Sequence, residues 1–362
     1  MATRREFLTG AASAGIVFCG CDMLPRAHAQ QRGRQSLPVM VNGKRVKTID
    51  VHSHCVFREA IDLMGEEGRG VLSQTRGAEN LFVAVEQRLK SMDAMAIDME
   101  VLSINPFWYG KDRETAGAIV KLQNEKLAEL CAAHRERFAA FASLALQYPD
   151  LAVAQLEHAV KRLGLRGAAI GASVLGEDFS EPRFHPVWAK AEELGAVLFI
   201  HPRGIPELAQ RLKGNGYLAN TVAFPLDTTI ALSHLIFEGT LDRFPGLKVI
   251  AAHGGGYLPS YAARSDHACL VSPKNCDLEI KLKKKPTEYL NQLYFDALVF
   301  TPEALRHLVA QVGASQVMLG SDHPFPWEER PVDHVLDTEM LSDEEKAAIL
   351  GGNAARLFGM TG

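Results

Sequence analysis

Short runs of apolar, often β-branched residues recur along the chain, and stretches with helical periodicity separate them. Runs of this length predict buried strands, and the periodic stretches predict amphipathic helices. The eight predicted strands are 46–51, 100–104, 138–144, 165–170, 196–200, 247–252, 293–297 and 317–319. The predicted helices are 85–97, 115–134, 151–163, 184–194, 226–240, 302–312 and 342–350.

Strands that alternate with helices in this way predict parallel βαβ units. Eight units favour a single (β/α)8 TIM barrel over an open doubly wound sheet. The first strand is not followed by a GxGxxG motif, which argues against a dinucleotide-binding fold. Two longer segments, 55–84 and 202–225, follow strands one and five and are expected to be irregular insertions at the carboxyl-terminal face. We therefore expect one barrel domain over 46–362, preceded by a linker over 30–45.

The first residues have the pattern of an export signal. Arg4 and Arg5 precede an apolar stretch of about a dozen residues, and the sequence Ala27-His28-Ala29 follows. A twin arginine with an A-x-A site is typical of a Tat signal, and the apolar stretch is too short to span a bilayer. We expect residues 1–29 to be cleaved and the mature protein to be periplasmic. A lipid anchor at Cys21, or a chance arginine pair, is the alternative.

Composition and charge exclude several classes of protein. The chain has 362 residues, of which 47% are hydrophobic and 23% charged, as in ordinary globular proteins. A formal net charge of −4 and an aromatic content of 7% provide neither a basic footprint nor a stacking platform, so we expect no nucleic-acid partner. Four of the six cysteines lie outside the signal without CxxC spacing. Cys269 and Cys276 are near enough in sequence to pair, and free thiols are an equal alternative.

Side chains that could bind a metal fall where the predicted strands end. His52 and His54 form a His-x-His pair, and this spacing puts both imidazoles on one face of a strand. His201, His253 and Asp322 close the fifth, sixth and eighth predicted strands. Because these strand ends meet at one face of a barrel, we expect the five side chains to converge. Histidine and carboxylate suit Zn²⁺, and an open coordination position would make the site catalytic.

Several segments resemble the metal-dependent amidohydrolase superfamily, and within it the branch typified by 2-amino-3-carboxymuconate 6-semialdehyde decarboxylase. The segments that carry the resemblance are IDVHSH (49–54), RLKSMDAMAIDMEVLS (88–103), LFIHPRG (198–204), 224–267, FDALVFTPEAL (295–305), VMLGSDHPFP (317–326) and GNAARLFG (352–359).

The resemblance implies one zinc ion per chain, with another divalent metal as an alternative. The implied ligands are His52, His54, His201 and Asp322. His253 and Asp322 would be the catalytic residues, with His253 activating water on the metal. Arg264 is similar to an arginine that contacts a substrate carboxylate across a dimer interface, which implies a homodimer. The fourth predicted strand ends without the lysine that bridges two metals in other members of the superfamily.

The activity that the resemblance implies is the non-oxidative decarboxylation of a small carboxylated enoate or aromatic acid. A hydrolase of an amide, ester or lactone would use the same ligands and is the main alternative, followed by a related lyase or hydratase and by a zinc-holding binding protein. Trp108 and Trp327 are expected to contact the substrate, although residues 107–109 could equally pack the barrel mouth. Arg76 lies in the loop where the family has a second substrate arginine, but its spacing does not match. His323 adjoins Asp322, whereas the other histidines are expected to be structural or solvated.

The export signal yields a direct prediction. Replacing both arginines, Arg4→Lys with Arg5→Lys, should retain the protein in the cytoplasm, because the Tat system recognises the twin arginine. Fractionation of periplasm and cytoplasm measures this, and unchanged recovery from the periplasm would contradict the Tat assignment.

Overall fold

Eight short parallel strands lie side by side in the computed structural model, which describes residues 38–66, 68, 75–277 and 279–360. The expected signal peptide and the first part of the expected linker lie outside these residues. The strands are β1 (Ile49–His54), β2 (Met99–Ser103), β3 (Phe138–Ala140), β4 (Gly167–Ile170), β5 (Val197–Ile200), β6 (Lys248–Ala251), β7 (Leu293–Asp296) and β8 (Val317–Met318).

Hydrogen bonds close these strands into a barrel. Strands β1 to β3 pair in order, and so do β4 to β8. The two groups are joined by a bridge between Ala142 and Ala168, and by a bridge between Ser53 and His323. The amide of Asp322 also donates to the carbonyl of His52 at 2.9 Å. The predicted TIM-barrel fold is therefore confirmed, and its first and last strands meet at the metal-binding residues.

Helices cover the outside of the barrel. The helices are α1 (Arg58–Met64), α2 (Val85–Ala94), α3 (Arg113–Ala133), α4 (Pro149–Lys161), α5 (His185–Leu194), α6 (Leu218–Thr221), α7 (Ala223–Phe237), α8 (Thr240–Arg243), α9 (Leu258–Ser265), α10 (Ala268–Val271), α11 (Pro302–Val312), α12 (Pro331–Leu336), α13 (Asp343–Ala347) and α14 (Asn353–Phe358). Within the described residues, no helix is both long enough and apolar enough to cross a membrane.

Two apolar cores result from the alternation of side chains along the strands. One fills the barrel interior, where Phe141 stacks on Phe199 at 5.4 Å between ring centroids. Leu357 and Phe358 of α14 belong to the same inner cluster. The larger core lies between the strands and the surrounding helices. This division leaves the carboxyl ends of the strands free for polar side chains.

The first strand differs from its prediction in a way that matters for function. It begins at Ile49 rather than at residue 46, so His52 and His54 lie within the strand and not after it. Its pairing with β2 shifts between Asp50 and Ser53, which is a β-bulge. Val51 belongs to the inner core, and the side chain of the next residue, His52, also points into it. The ring centroids of His52 and Phe199, another residue of the inner core, are 5.1 Å apart. The bulge therefore turns both histidines inward, as bulges near active sites commonly do.

The two segments expected to be irregular contain short helices. The segment after β1 contains α1 and a 3₁₀ turn over Ala78–Leu81. The segment after β5 contains a 3₁₀ turn over Pro206–Leu208, followed by α6. Cys269 and Cys276 form a disulfide, so pairing is the correct one of the two alternatives.

Candidate metal centre and active site

Four side chains from distant parts of the chain meet at the carboxyl-terminal mouth of the barrel. The ligand atoms of His52, His54, His201 and Asp322 all lie within 4.8 Å of one another, and all four residues are buried. The first two come from β1, His201 directly follows β5, and Asp322 lies four residues after the end of β8. The convergence predicted from the strand ends therefore occurs.

The distances fit a single ion. The Nε2 atoms of His52 and His54 are 3.0 Å apart, and Asp322 Oδ1 lies 3.3 Å from the first and 2.9 Å from the second. Four ligands at zinc–nitrogen and zinc–oxygen bond lengths would be separated by about 3.3 Å in a tetrahedron. His201 Nε2 and Asp322 Oδ1 are buried without a hydrogen-bond partner. Buried polar atoms are normally satisfied, so these two point to a group that they would bind.

Each imidazole is oriented through its other nitrogen. His52 Nδ1 donates to Asp296 Oδ2 at 2.7 Å, and His201 Nδ1 donates to the Pro202 carbonyl at 2.9 Å. The hydroxyl of Ser103 donates to the Ser53 carbonyl, so its oxygen accepts from His54 Nδ1 at 3.1 Å. With a metal bound, all three Nε2 atoms would therefore present a lone pair to the centre, the arrangement that metal-binding histidines require.

Burial and neighbouring charges tune these groups. Burial lowers the pKa of His54, and it lowers that of His201 to well below the ordinary value, which keeps both imidazoles neutral for binding. Burial also opposes a proton on His52, but the carboxylates of Asp322 and Asp296 outweigh it and raise the pKa of His52 to about 10. Metal binding would therefore displace a proton from His52.

Asp296, at the end of β7, links the ligands to His253. Its Oδ2 accepts from His52 Nδ1 and from the backbone N–H of His253, the latter at 2.9 Å. Its Oδ1 accepts from the backbone N–H groups of Gly254 and Leu298 at 2.8 and 3.1 Å. Burial raises the pKa of Asp296, but the hydrogen bond from His52 and nearby positive charge outweigh it, and the pKa is lowered. Our sequence reasoning missed this residue, although it lies next to the end of the seventh predicted strand, 293–297.

His253 lies beside the metal centre. Its ring centroid is 5.1 Å from those of His52 and His201, and its Nε2 is 4.0 Å from Asp322 Oδ2. The turn after it requires glycine, because a Cβ on Gly256 would lie 2.0 Å from the Pro225 carbonyl. This turn brings the histidine side chain next to the ligands while Asp296 holds its backbone.

A buried cluster of charged side chains supports the metal centre through the backbone of His54. Arg88 Nε donates to Glu100 Oε2 at 2.6 Å, and His323 Nδ1 lies 2.8 Å from the other carboxylate oxygen. The carbonyl of His323 in turn accepts from the amide of His54 at 2.7 Å. Burial raises the pKa of Glu100, but Arg88 and His323 outweigh it and lower that pKa to about 2. Burial and the charge of Glu100 raise the pKa of Asp50 to about 7. The sequence analysis also did not identify Arg88, Glu100 and Asp50, because the pattern of hydrophobic and polar residues does not mark a charged side chain that is buried.

An aromatic cleft covers the metal centre. We use this name for two adjoining cavities of about 190 and 150 Å³ that share Asp322 and Trp327. The first also contains His201, and the second contains His253. The aromatic side chains that line the cleft are Phe107, Tyr217, Phe224, Phe300, Phe325 and Trp327. Together the two cavities reach only the lower end of the roughly 300–1,000 Å³ of typical ligand pockets, so the cleft suits a small molecule.

The four residues considered for substrate binding occupy different positions. Trp327 lines the cleft as expected. Trp108 does not: it is fully buried in the core, and its indole N–H donates to the Leu144 carbonyl at 2.8 Å. Arg76 is exposed, with Nη2 3.9 Å from Glu329, and it lines a different cavity. Arg264 is exposed on α9 and does not line the cleft.

Comparison with known proteins agrees with this geometry. The family model described as Amidohydrolase matches residues 49–360. The chain belongs to the amidohydrolase family. The chain is 31% identical to 2-amino-3-carboxymuconate-6-semialdehyde decarboxylase from Dictyostelium discoideum over 276 residues, covering 75% of this chain and 76% of the relative.

Two solved structures are similar over nearly their whole length. The crystal structure of 5-carboxyvanillate decarboxylase from Sphingomonas paucimobilis has a TM-score of 0.80 and 26% identity, covering 87% of this chain and 100% of that one. Dihydroxybenzoic acid decarboxylase from Polaromonas sp. JS666, solved with manganese and 2-nitroresorcinol, has a TM-score of 0.74 and 26% identity, covering 87% and 97%. These findings confirm the predicted enzyme class, a metal-dependent carboxy-lyase of the amidohydrolase superfamily.

The role of Asp296 can be tested by metal affinity. Asp296→Asn should weaken metal binding about tenfold to hundredfold, because an amide replaces the carboxylate that orients His52. Competition with a chromophoric chelator measures the affinity. Asp242→Asn is the control, since Asp242 accepts from the Tyr289 hydroxyl at 2.6 Å outside the centre. Equal affinity in the wild type and Asp296→Asn would show that this carboxylate does not support the ligands.

Proposed function

We propose that the protein is a zinc-dependent, non-oxidative decarboxylase of a small carboxylated aromatic acid or enoate. The observation that carries this proposal is the buried set of three histidines and Asp322 at the floor of the aromatic cleft, with His253 beside it. The flat, apolar walls suit a conjugated acid, and the small volume suits a molecule of about one ring. The substrates in the names of the relatives, a carboxymuconate semialdehyde and two aromatic acids, support the same class.

The ligand set supports zinc as the metal. Three imidazoles and one carboxylate form a nitrogen-rich set, which suits zinc better than manganese, an ion that favours oxygen ligands. When bound, the ion would supply a Lewis acid that holds substrate oxygen atoms and stabilises negative charge.

The chain's own residues would bind the substrate and move the proton. The rings of Phe224 and Trp327 line both cavities and would hold the conjugated acid between them. His253 Nε2 faces the cleft next to Asp322 and would deliver a proton to the carbon that bears the carboxylate. The bond between that carbon and the carboxylate then breaks, its electron pair returns to the conjugated system, and CO₂ leaves.

The metal content can be measured directly. Protein purified without chelators should contain about one zinc per chain, because the described residues provide one cluster of suitable ligands. Removing the metal should lower the unfolding temperature, since it leaves buried ligand atoms unsatisfied, and added zinc should restore it. Elemental analysis and thermal unfolding give the two results. Two metals per chain, or manganese retained in preference to zinc, would contradict the proposal.

His253 is the residue whose loss should separate chemistry from metal binding. His253→Ala should retain the metal but release CO₂ at least about 100-fold more slowly, because it removes the proton donor without removing a ligand. The assay is CO₂ release from a panel of aromatic acids and carboxylated enoates, run beside a panel of lactones and amides. His307→Ala, at an exposed position on α11, is the control. Turnover of the lactones or amides alone would identify a hydrolase instead.

We also propose that the protein acts in the periplasm as a homodimer. The Cys269–Cys276 disulfide supports an oxidising compartment, since such bonds are rare in the cytoplasm.

Large apolar side chains near Arg264 support the dimer, because Tyr261, Leu270 and Val271 are 69%, 78% and 80% exposed. A patch of this kind is typical of an interaction surface, and a second copy could place its Arg264 at the neighbouring cleft.

Light scattering should give twice the chain mass for the wild type and the mass of one chain for Leu270→Asp. A wild-type monomer would contradict the dimer.

A further inference from the structure

One cation lines the aromatic cleft. Arg203, two residues after the ligand His201, lines the same cavity as His201 and Asp322. Among the described residues that line the cleft, it is the only arginine or lysine. Apart from Asp322 and the histidines of the metal centre, the described residues that line the cleft are aromatic, aliphatic or polar and uncharged. This cation therefore marks the position at which an anionic group of a ligand would be recognised.

The backbone of Arg203 is held by a buried carboxylate. Asp227 of α7 is only 7% exposed, and its Oδ2 accepts from the backbone N–H groups of Arg203 and Gly204 at 3.0 and 3.1 Å. Gly204 has a φ of 96°, a conformation that favours glycine. This contact sets the direction in which the chain leaves β5, and with it the origin of the Arg203 side chain.

The guanidinium is held as well. Nη1 of Arg203 donates to the Pro106 carbonyl at 2.5 Å, and the guanidinium carbon lies 4.9 Å from the centre of the Phe107 ring. Phe107 itself lines the cleft. A guanidinium with a planar, pre-oriented set of five N–H donors loses little entropy when it binds a carboxylate. Arg203 is exposed, yet both its backbone and its guanidinium are held in place, which suits a residue that recognises an anionic group.

We propose that Arg203 binds a second acidic substituent of the substrate, remote from the carboxylate that is lost, and that Asp227 is a positioning residue for it. The proposal rests on the proposed function, because it assumes that the carboxylate to be lost lies at the metal centre. It defines the substrate class more narrowly: a conjugated acid of about one ring with a further carboxylate on it. Arginine suits this role because it can form two parallel hydrogen bonds with a carboxylate.

Two matched probes test this proposal in the zinc-loaded protein. In both, a nitro group replaces the carboxylate that would be lost, so neither can react. The first probe, 4-hydroxy-3-methoxy-5-nitrobenzoic acid, retains one carboxylate, which represents the remote substituent that Arg203 would bind. The second probe, 2-methoxy-6-nitrophenol, is the same molecule without that carboxylate. Arg203→Gln should weaken binding of the first probe about tenfold to hundredfold and change binding of the second by less than about twofold. Arg211→Gln, at an exposed position in the same loop, is the control and should change neither.

The results separate the possible failures. Titration calorimetry provides both dissociation constants, and elemental analysis shows that each variant retains zinc. Equal weakening of both probes by Arg203→Gln would assign Arg203 a structural role, and no weakening would exclude contact with the carboxylate. Either result overturns the inference but leaves the proposed function standing if the wild type releases CO₂. A wild type that binds neither probe and releases no CO₂ overturns the proposed function and the inference with it.

Asp227 provides a second comparison. Asp227→Ala removes the acceptor for both backbone N–H groups, so it should reduce the preference for the carboxylate-bearing probe. Asp227→Asn retains an oxygen that can accept from both and should restore that preference. A preference that is unchanged in Asp227→Ala would show that Asp227 does not position Arg203.

Discussion

The carboxylate of Asp296 is the contact on which the active site depends. It accepts a hydrogen bond from the Nδ1–H group of His52, and it also accepts from the backbone N–H groups of His253 and Gly254. One side chain thereby sets the tautomer of a metal ligand and the position of the proposed proton donor. Because the carboxylate is fully buried, water competes little for its hydrogen bonds, and none can be lost without leaving a polar group unsatisfied.

Strained backbone surrounds the same site. His253, Asp322, Tyr217 and Phe300 all have φ between 53° and 68°, a region that residues with a Cβ rarely adopt. Two of these carry the proposed chemistry, and the other two place aromatic rings on the cleft. Each such conformation costs of the order of 1–3 kcal/mol and persists only where the surrounding packing determines it. The closed barrel and its two cores provide that packing, which joins the stability of the fold to the geometry of the site.

The proposals for catalysis and for specificity rest on different walls of the cleft. The ligands and His253 lie in β1 or within four residues of the ends of β5, β6 and β8. Arg203 and most of the aromatic rings belong to the connections between strands and helices, and Asn220 and Phe224 lie in α6 and at the start of α7. Reaction type is thus carried by the rigid barrel, and substrate choice by the loops that leave it. This division explains how relatives with about 26–31% identity share a reaction type while their names give different acids.

The pattern of residues along the chain predicted the alternation of strands and helices, the barrel class and five polar side chains at the ends of apolar runs, and the family resemblance selected four of these five as ligands. It did not reveal Asp296, Glu100 and Arg88, whose importance comes from partners up to 244 residues away. It also suggested Trp108 for the cleft, whereas packing placed that ring in the core. These points depend on contacts that form only in the folded chain. The periodicity of side chains shows which face of an element is buried, but it does not show which partner a buried polar group contacts. It also does not predict the β-bulge that turns His52 and His54 inward.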